Sequence, residues 1–157
     1  MANVVLIGAT GFVGSAVLNE LLSRGHKVTA VVRNAAKLPK NDNLTAVEED
    51  VANVDAIANI AKGKDAVISA YNPGWNNPDI KRLIEENYPK IVEAVKKSGV
   101  QRLLIVGGAG TLFVKPGLRV VDSGFIPAEI MDSVRPLGEF YLNVLTKEHD
   151  LDWVFFS

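Results

Sequence analysis

Val4-Val5-Leu6-Ile7-Gly8-Ala9-Thr10-Gly11-Phe12-Val13-Gly14 decides the fold. Its first four residues are apolar and mostly β-branched, the composition of a strand buried on both faces, and Gly8 ends the run. From Phe12 onward the apolar residues Phe12, Val13, Ala16, Val17 and Leu21 recur at helical spacing until Arg24-Gly25 stops the helix near residue 22. A buried strand that passes through a glycine turn into an amphipathic helix is the opening unit of an α/β fold.

The rest of the chain repeats that unit. Residues 27–32 read as a second buried strand, followed by a polar loop over 34–43 that contains Pro39. Residues 44–47 form a weaker third strand, and Ala56, Ile57, Ile60 and Ala61 mark a short helix before Gly63. Residues 66–69 are a strand, and the turn-rich stretch 71–78 must be a loop. A helix is predicted over 80–97, with Pro89 as a kink or early break. Residues 103–106 are the next buried strand, ended by Gly107-Gly108-Ala109-Gly110, and 111–133 is the most irregular stretch. A helix over 135–148 would carry Leu137, Phe140, Tyr141, Val144 and Leu145 on one face, before a last strand at 153–156. Such alternation predicts one α/β domain over 1–157, a doubly wound parallel sheet covered on both faces.

The spacing of Gly8, Gly11 and Gly14 is G-x-x-G-x-x-G. At a first strand-to-helix junction such glycines permit a tight turn and a close backbone approach to a pyrophosphate. The helix N-terminus offers it free N–H groups and the positive end of the dipole. The spacing is a variant of the G-x-G-x-x-G dinucleotide fingerprint, and a purely structural turn is the alternative. The second strand ends at Arg33, about 20 residues past the loop, where an acidic residue would hold the ribose of NAD and an arginine the 2′-phosphate of NADP. A guanidinium forks onto phosphate oxygens, so Arg33 favours NADP, with NAD still open; a solvated arginine at a strand end is the plainer reading.

Composition narrows the remaining classes. The 157 residues carry 17 basic and 18 acidic side chains, so no overall field draws in nucleic acid or an anionic membrane. Cysteine is absent, which excludes disulfides, thiolate metal sites and a cysteine nucleophile. His26 and His149 lie far apart among scattered carboxylates, so no metal site is expected. The N-terminus lacks a basic segment and a cleavage site, and no apolar run approaches the roughly 20 residues of a membrane span. A cytoplasmic globular protein is expected.

Gly8 to Gly14, then R-G-H-K-V-T-A-V-V-R, D-A-V-I-S-A, V-K-K-S-G-V-Q-R-L-L-I-V-G-G-A-G and L-D-W-V-F-F-S resemble the atypical short-chain dehydrogenase/reductase family. More narrowly, the ordered set is similar to bacterial NAD(P)H-binding and NAD-dependent epimerase/dehydratase-like proteins, near NADH-flavin reductase-like and NmrA-like ones. The resemblance implies an NAD(P)-binding Rossmann fold. It implies that Thr10, Phe12 and Val13 join the glycines at the cofactor, that Asp50 meets the adenine, and that Ser69, Ala70 and Tyr71 line the ribose and nicotinamide side opposite Gly107 and Gly108. For Asp50 a helix N-cap is the alternative.

Departures from that family restrict the chemistry. Members that oxidise or epimerise sugars use a Tyr-x-x-x-Lys pair in which the phenol is the general acid/base. Aligned on Glu139, this chain has Met131 and Arg135 at those positions, and Tyr141 is followed four residues later by Leu145. Nucleotide-sugar epimerase or dehydratase chemistry thus lacks its proton-transfer groups. What is left is hydride transfer to a flat small-molecule acceptor such as a flavin or quinone, which takes its proton from water, or a non-catalytic NADP-sensing role like that of NmrA-like proteins. Tyr71, Trp75 and Phe113 could form an aromatic slot for such an acceptor, or pack beneath their own loops. The segment 111–133 reads as a lid or substrate loop, with Lys115, Arg119 and Asp122 solvated. By resemblance, the last strand should be followed by further residues that close the substrate side. The fold is therefore expected to lack its C-terminal part, and a homodimer through the open edge is one consequence.

Overall fold

The computed structural model describes residues 1–157. Strand β1 (Asn3–Ile7) leads into α1 (Phe12–Ser23), β2 (Lys27–Val32) and β3 (Leu44–Glu48). Helix α2 (Val54–Ala61), β4 (Ala66–Ser69), α3 (Ile80–Ser98) and β5 (Arg102–Val106) follow. A small antiparallel hairpin of β6 (Phe113–Lys115) and β7 (Leu118–Arg119) precedes α4 (Met131–Asn143) and β8 (Asp152–Phe156). Six strands form one parallel sheet in the order β3-β2-β1-β4-β5-β8. This is the doubly wound, Rossmann-like arrangement. The strand order reverses direction between β1 and β4, and the crevice beyond their C-terminal ends is where such sheets bind ligands.

The two faces of the sheet are unequally covered. On one face α2, α3 and α4 bury a cluster that includes Val5, Ile7, Val67, Leu103 and Ile105, together with Ile57, Ile84, Tyr88 and Ile91. On the other, α1 alone packs against Leu6, Val28, Ala30 and Val32 through Leu18, with Val17, Leu21 and Leu22 at its margin. Leu104, Val106 and Val154 therefore stay half-buried and Phe156 exposed. Helices thus flank both faces, and the β5–β8 end is the less covered one.

Four local readings change. Helix α3 runs through Pro89 without a break. An interior proline costs about 3 kcal/mol, but each fully buried apolar side chain returns about 1.5–3 kcal/mol, and Ile84, Tyr88, Ile91 and Val92 flank it. Helix α4 starts at Met131 and ends at Asn143, earlier than 135–148, and Pro136 lies inside it. Phe12 and Val13 are exposed instead of belonging to the apolar stripe, because the first turn of α1 overhangs the end of the sheet. Asp50 is not the cap of α2: that cap is Asn53, whose Oδ1 accepts from the Ala56 N–H at 3.3 Å, while Asp50 accepts from Ala52 in a tight turn.

Candidate functional site

The crevice beyond β1 and β4 is a cavity of about 680 Å³, within the roughly 300–1,000 Å³ of small-molecule sites. The glycine turn forms its floor. Gly8 sits at φ +79°, and a Cβ there would stand 2.8 Å from the Ala70 carbonyl oxygen. A side chain at Gly14 would collide with the Gly8 carbonyl, so α1 packs against the turn only because position 14 is bare. Gly11 is the N-cap of α1 and makes no side-chain capping bond, and the first turn carries no acidic residue. The N–H groups of Phe12, Val13 and Gly14 have no hydrogen-bond partner. An uncapped helix terminus with free donors suits a pyrophosphate.

Charged groups gather at the β2–β3 end of the cavity. Arg33, directly after β2, lines it and joins no salt bridge. Glu49 and Asp50 line the same end, with the Glu49 carboxylate accepting from the Asp50 N–H at 3.0 Å.

Aromatic and apolar side chains line the rest of the cavity. Tyr71 follows β4, and its hydroxyl accepts from Asn87 Nδ2 at 2.7 Å. The Tyr88 hydroxyl donates to the Tyr71 carbonyl, also at 2.7 Å. Burial raises the Tyr71 phenol above its ordinary value of 10.0, opposed by the Asn87 bond and the Arg33 charge, with the Asp50 charge adding to the rise. Trp75 stands at the rim, 63% exposed. Helix α4 turns Ser133, Val134, Leu137 and Gly138 to the cavity, whereas Met131 and Arg135 do not line it. Arg135 pairs with Asp122 at 3.4 Å. No acid/base pair faces the cavity from α4.

A family profile described as NAD(P)H-binding matches residues 8–156, from the first glycine of the turn to the last residue of β8. The chain belongs to the NAD(P)H-binding family. Protein YwnB of Bacillus subtilis, described as uncharacterized, is 35% identical over 154 residues, 97% of this chain and 69% of that protein. The structure of a protein from Bacteroides thetaiotaomicron, provisionally assigned as an epimerase, superposes with a TM-score of 0.90 at 52% identity, over 98% of this chain and 69% of that one. A protein from Streptococcus pneumoniae provisionally assigned as an NADH-flavin reductase gives 0.81 at 28% identity, over 99% and 70%. Of three further curated relatives this NAD(P)H-binding chain spans 36% to 41%.

In this NAD(P)H-binding chain the cavity brings together Gly8, Thr10, Gly11, Phe12, Val13, Arg33, Asp50, Ala70, Tyr71, Gly107 and Gly108. Two residues expected beside the cofactor stand outside its lining. Gly14 is buried against Gly8, where its role is packing. Ser69 is 1% exposed, and its hydroxyl accepts from the Tyr71 N–H at 3.4 Å. Phe113 also lies outside, on β6 beneath the Arg119 guanidinium at 4.7 Å, so the expected aromatic slot keeps Tyr71 and Trp75 only. Arg119 is not merely solvated, since it also donates to the Thr111 carbonyl at 3.2 Å. Sequence reading missed Glu49 and Asn87. Glu49 adjoins Asp50 and was legible; Asn87 lies 16 residues from its partner, and only the fold joins them.

No group of three or more His, Asp or Glu side chains gathers to hold a metal ion. No helix is long and apolar enough to cross a membrane.

Proposed function

We propose that the chain binds NADP(H) in preference to NAD(H) and supports hydride transfer to a flat acceptor such as a flavin or quinone. The observation that carries this reading is one cavity holding free N–H donors at α1, an unpaired Arg33 at the end of β2, and the aromatic side chains of Tyr71 and Trp75. When bound there, a reduced nicotinamide supplies the hydride. The protein's own groups divide the remaining work. The α1 terminus would hold the pyrophosphate, Arg33 would fork onto the 2′-phosphate, and the carboxylates of Glu49 and Asp50 would face the adenine amine. Phe12, Val13 and Leu137 would give the bound cofactor apolar contact, and Trp75 would offer a flat face to the acceptor.

Two observations support a flat acceptor over a sugar. The α4 face of the cavity is Val134, Leu137 and Gly138 with Ser133, whose hydroxyl donates to the Ile130 carbonyl at 2.7 Å, and it holds no acid/base pair. A flavin or quinone needs none from the protein, because its reduced oxygens and nitrogens exchange with water. The flavin reductase assignment of the Streptococcus pneumoniae relative points the same way, and the epimerase assignment of the Bacteroides relative meets the missing acid/base pair. The same apolar α4 face suits a cofactor-sensing protein that does not turn over. Incubation with NADPH and either FMN or a naphthoquinone separates the two. Catalysed loss of the dihydronicotinamide absorbance identifies a reductase, and binding without that loss identifies a sensor.

A further inference from the structure

The Tyr71 hydroxyl is the one phenol in the cavity with a hydrogen to spare. Its oxygen accepts from Asn87 Nδ2 at 2.7 Å, and no protein acceptor takes its own hydrogen. The neighbouring Tyr88 hydroxyl is committed to the Tyr71 carbonyl. Asn87 is 4% exposed, in the third turn of α3, so the bond it gives is fixed from beneath. The ring is fixed as well: it tilts against Tyr88 at a centroid distance of 5.6 Å, and Tyr88 in turn rests on Phe140 at 5.3 Å. A buried amide therefore occupies the acceptor side of the phenol, and the remaining direction for its O–H is the cavity that both side chains line.

We propose that Tyr71, oriented by Asn87, is a hydrogen-bond donor site for a carbonyl-type oxygen of a flat, quinone-like acceptor. The assignment rests on the reading of this cavity as a reductase site, and it adds the group that recognises the acceptor. A pre-aimed neutral donor in a half-dry cavity gains strength as negative charge builds on the oxygen it holds, which is the condition of an acceptor being reduced. Burial keeps the phenol protonated well beyond neutral pH, so the donor is present throughout the physiological range. No proton needs to leave the tyrosine, since the reduced acceptor is protonated by water.

The test compares menadione with 2-methylnaphthalene, which has the same flat body and no oxygens. Binding to the full chain is followed by quenching of tryptophan emission, with Trp75 at the rim, in the presence of NADP⁺ so that nothing turns over. The chain has no cysteine for the quinone to alkylate. The wild type is expected to prefer menadione about tenfold, the worth of one well-made hydrogen bond. Tyr71→Phe is expected to abolish that preference, and Asn87→Leu to reduce it. An undiminished preference in a folded Tyr71→Phe chain, or no wild-type preference, overturns the assignment. A Tyr71-dependent preference in a chain that fails to bind NADP⁺ upholds the donor site and overturns the dinucleotide reading on its own.

Discussion

Gly14 packs directly over the Gly8 carbonyl, and the space between them does not admit a Cβ atom. The atom in the way is backbone at both ends, so no side-chain rotation relieves it. Gly14→Ala must therefore push α1 away from the β1 turn, opening the contact of Leu18 with Leu6 and Val28. A loss of about 3 kcal/mol or more is expected in urea unfolding, at the upper end for overpacking. Gly25→Ala is the control. Unlike Gly14 it has a positive φ, and nothing lies near its Cβ, so only backbone strain of about 1–3 kcal/mol applies.

Phe12 supports the opposite prediction. It is 96% exposed, so Phe12→Ala should change unfolding stability by less than about 0.5 kcal/mol. An exposed phenylalanine at a cavity mouth is expected to work on a ligand, and dinucleotide affinity should fall by about tenfold, equivalent to ~1.4 kcal/mol. Isothermal titration beside thermal melting reads both quantities on the same samples.

Tyr88 ties stability to alkaline pH. Burial, and to a lesser degree its neighbour Tyr71, hold its phenol well above the ordinary 10.0, so above that pH the unfolded chain has released a proton that the folded chain retains. The folded state then binds more protons than the unfolded one, and stability falls as pH rises. The contribution is fully present below 10.0 and is lost progressively above it. Urea midpoints should drop across that range, and Tyr88→Phe should make the drop shallower. At neutral pH the same substitution removes the bond to the Tyr71 carbonyl, at a cost of about 1 kcal/mol.

How much of this was legible in the sequence follows from the range of each interaction. Val4 to Ile7 and Leu103 to Val106 announce buried strands because both faces are apolar and glycine ends each run. The contact of Gly14 with the Gly8 carbonyl is equally local, whereas the Ala70 carbonyl that requires a bare Gly8 comes from the end of β4. Phe12 and Val13 misled because periodicity records which residues share a helical face, not whether a sheet lies beneath that part of the helix. The passage of α3 through Pro89 could not be read locally, because its cost is met by burial against strands far away in the chain. Asn87 looks like a solvated helix residue until β4 delivers Tyr71 to it. Phe113 reads equally as a ligand contact or as loop packing, and only the fold shows Arg119 above its ring and the side chain outside the cavity.

The central claim is a dinucleotide site with Arg33 at its phosphate end, and it is tested most directly by titrating the chain with NADPH and with NADH while following nicotinamide fluorescence. The account predicts that both bind and that NADPH binds about tenfold or more tightly, the worth of one charge-assisted phosphate contact. Arg33→Ala should remove that margin without weakening NADH. A folded chain that binds neither, or one whose preference for NADPH survives Arg33→Ala, would contradict it.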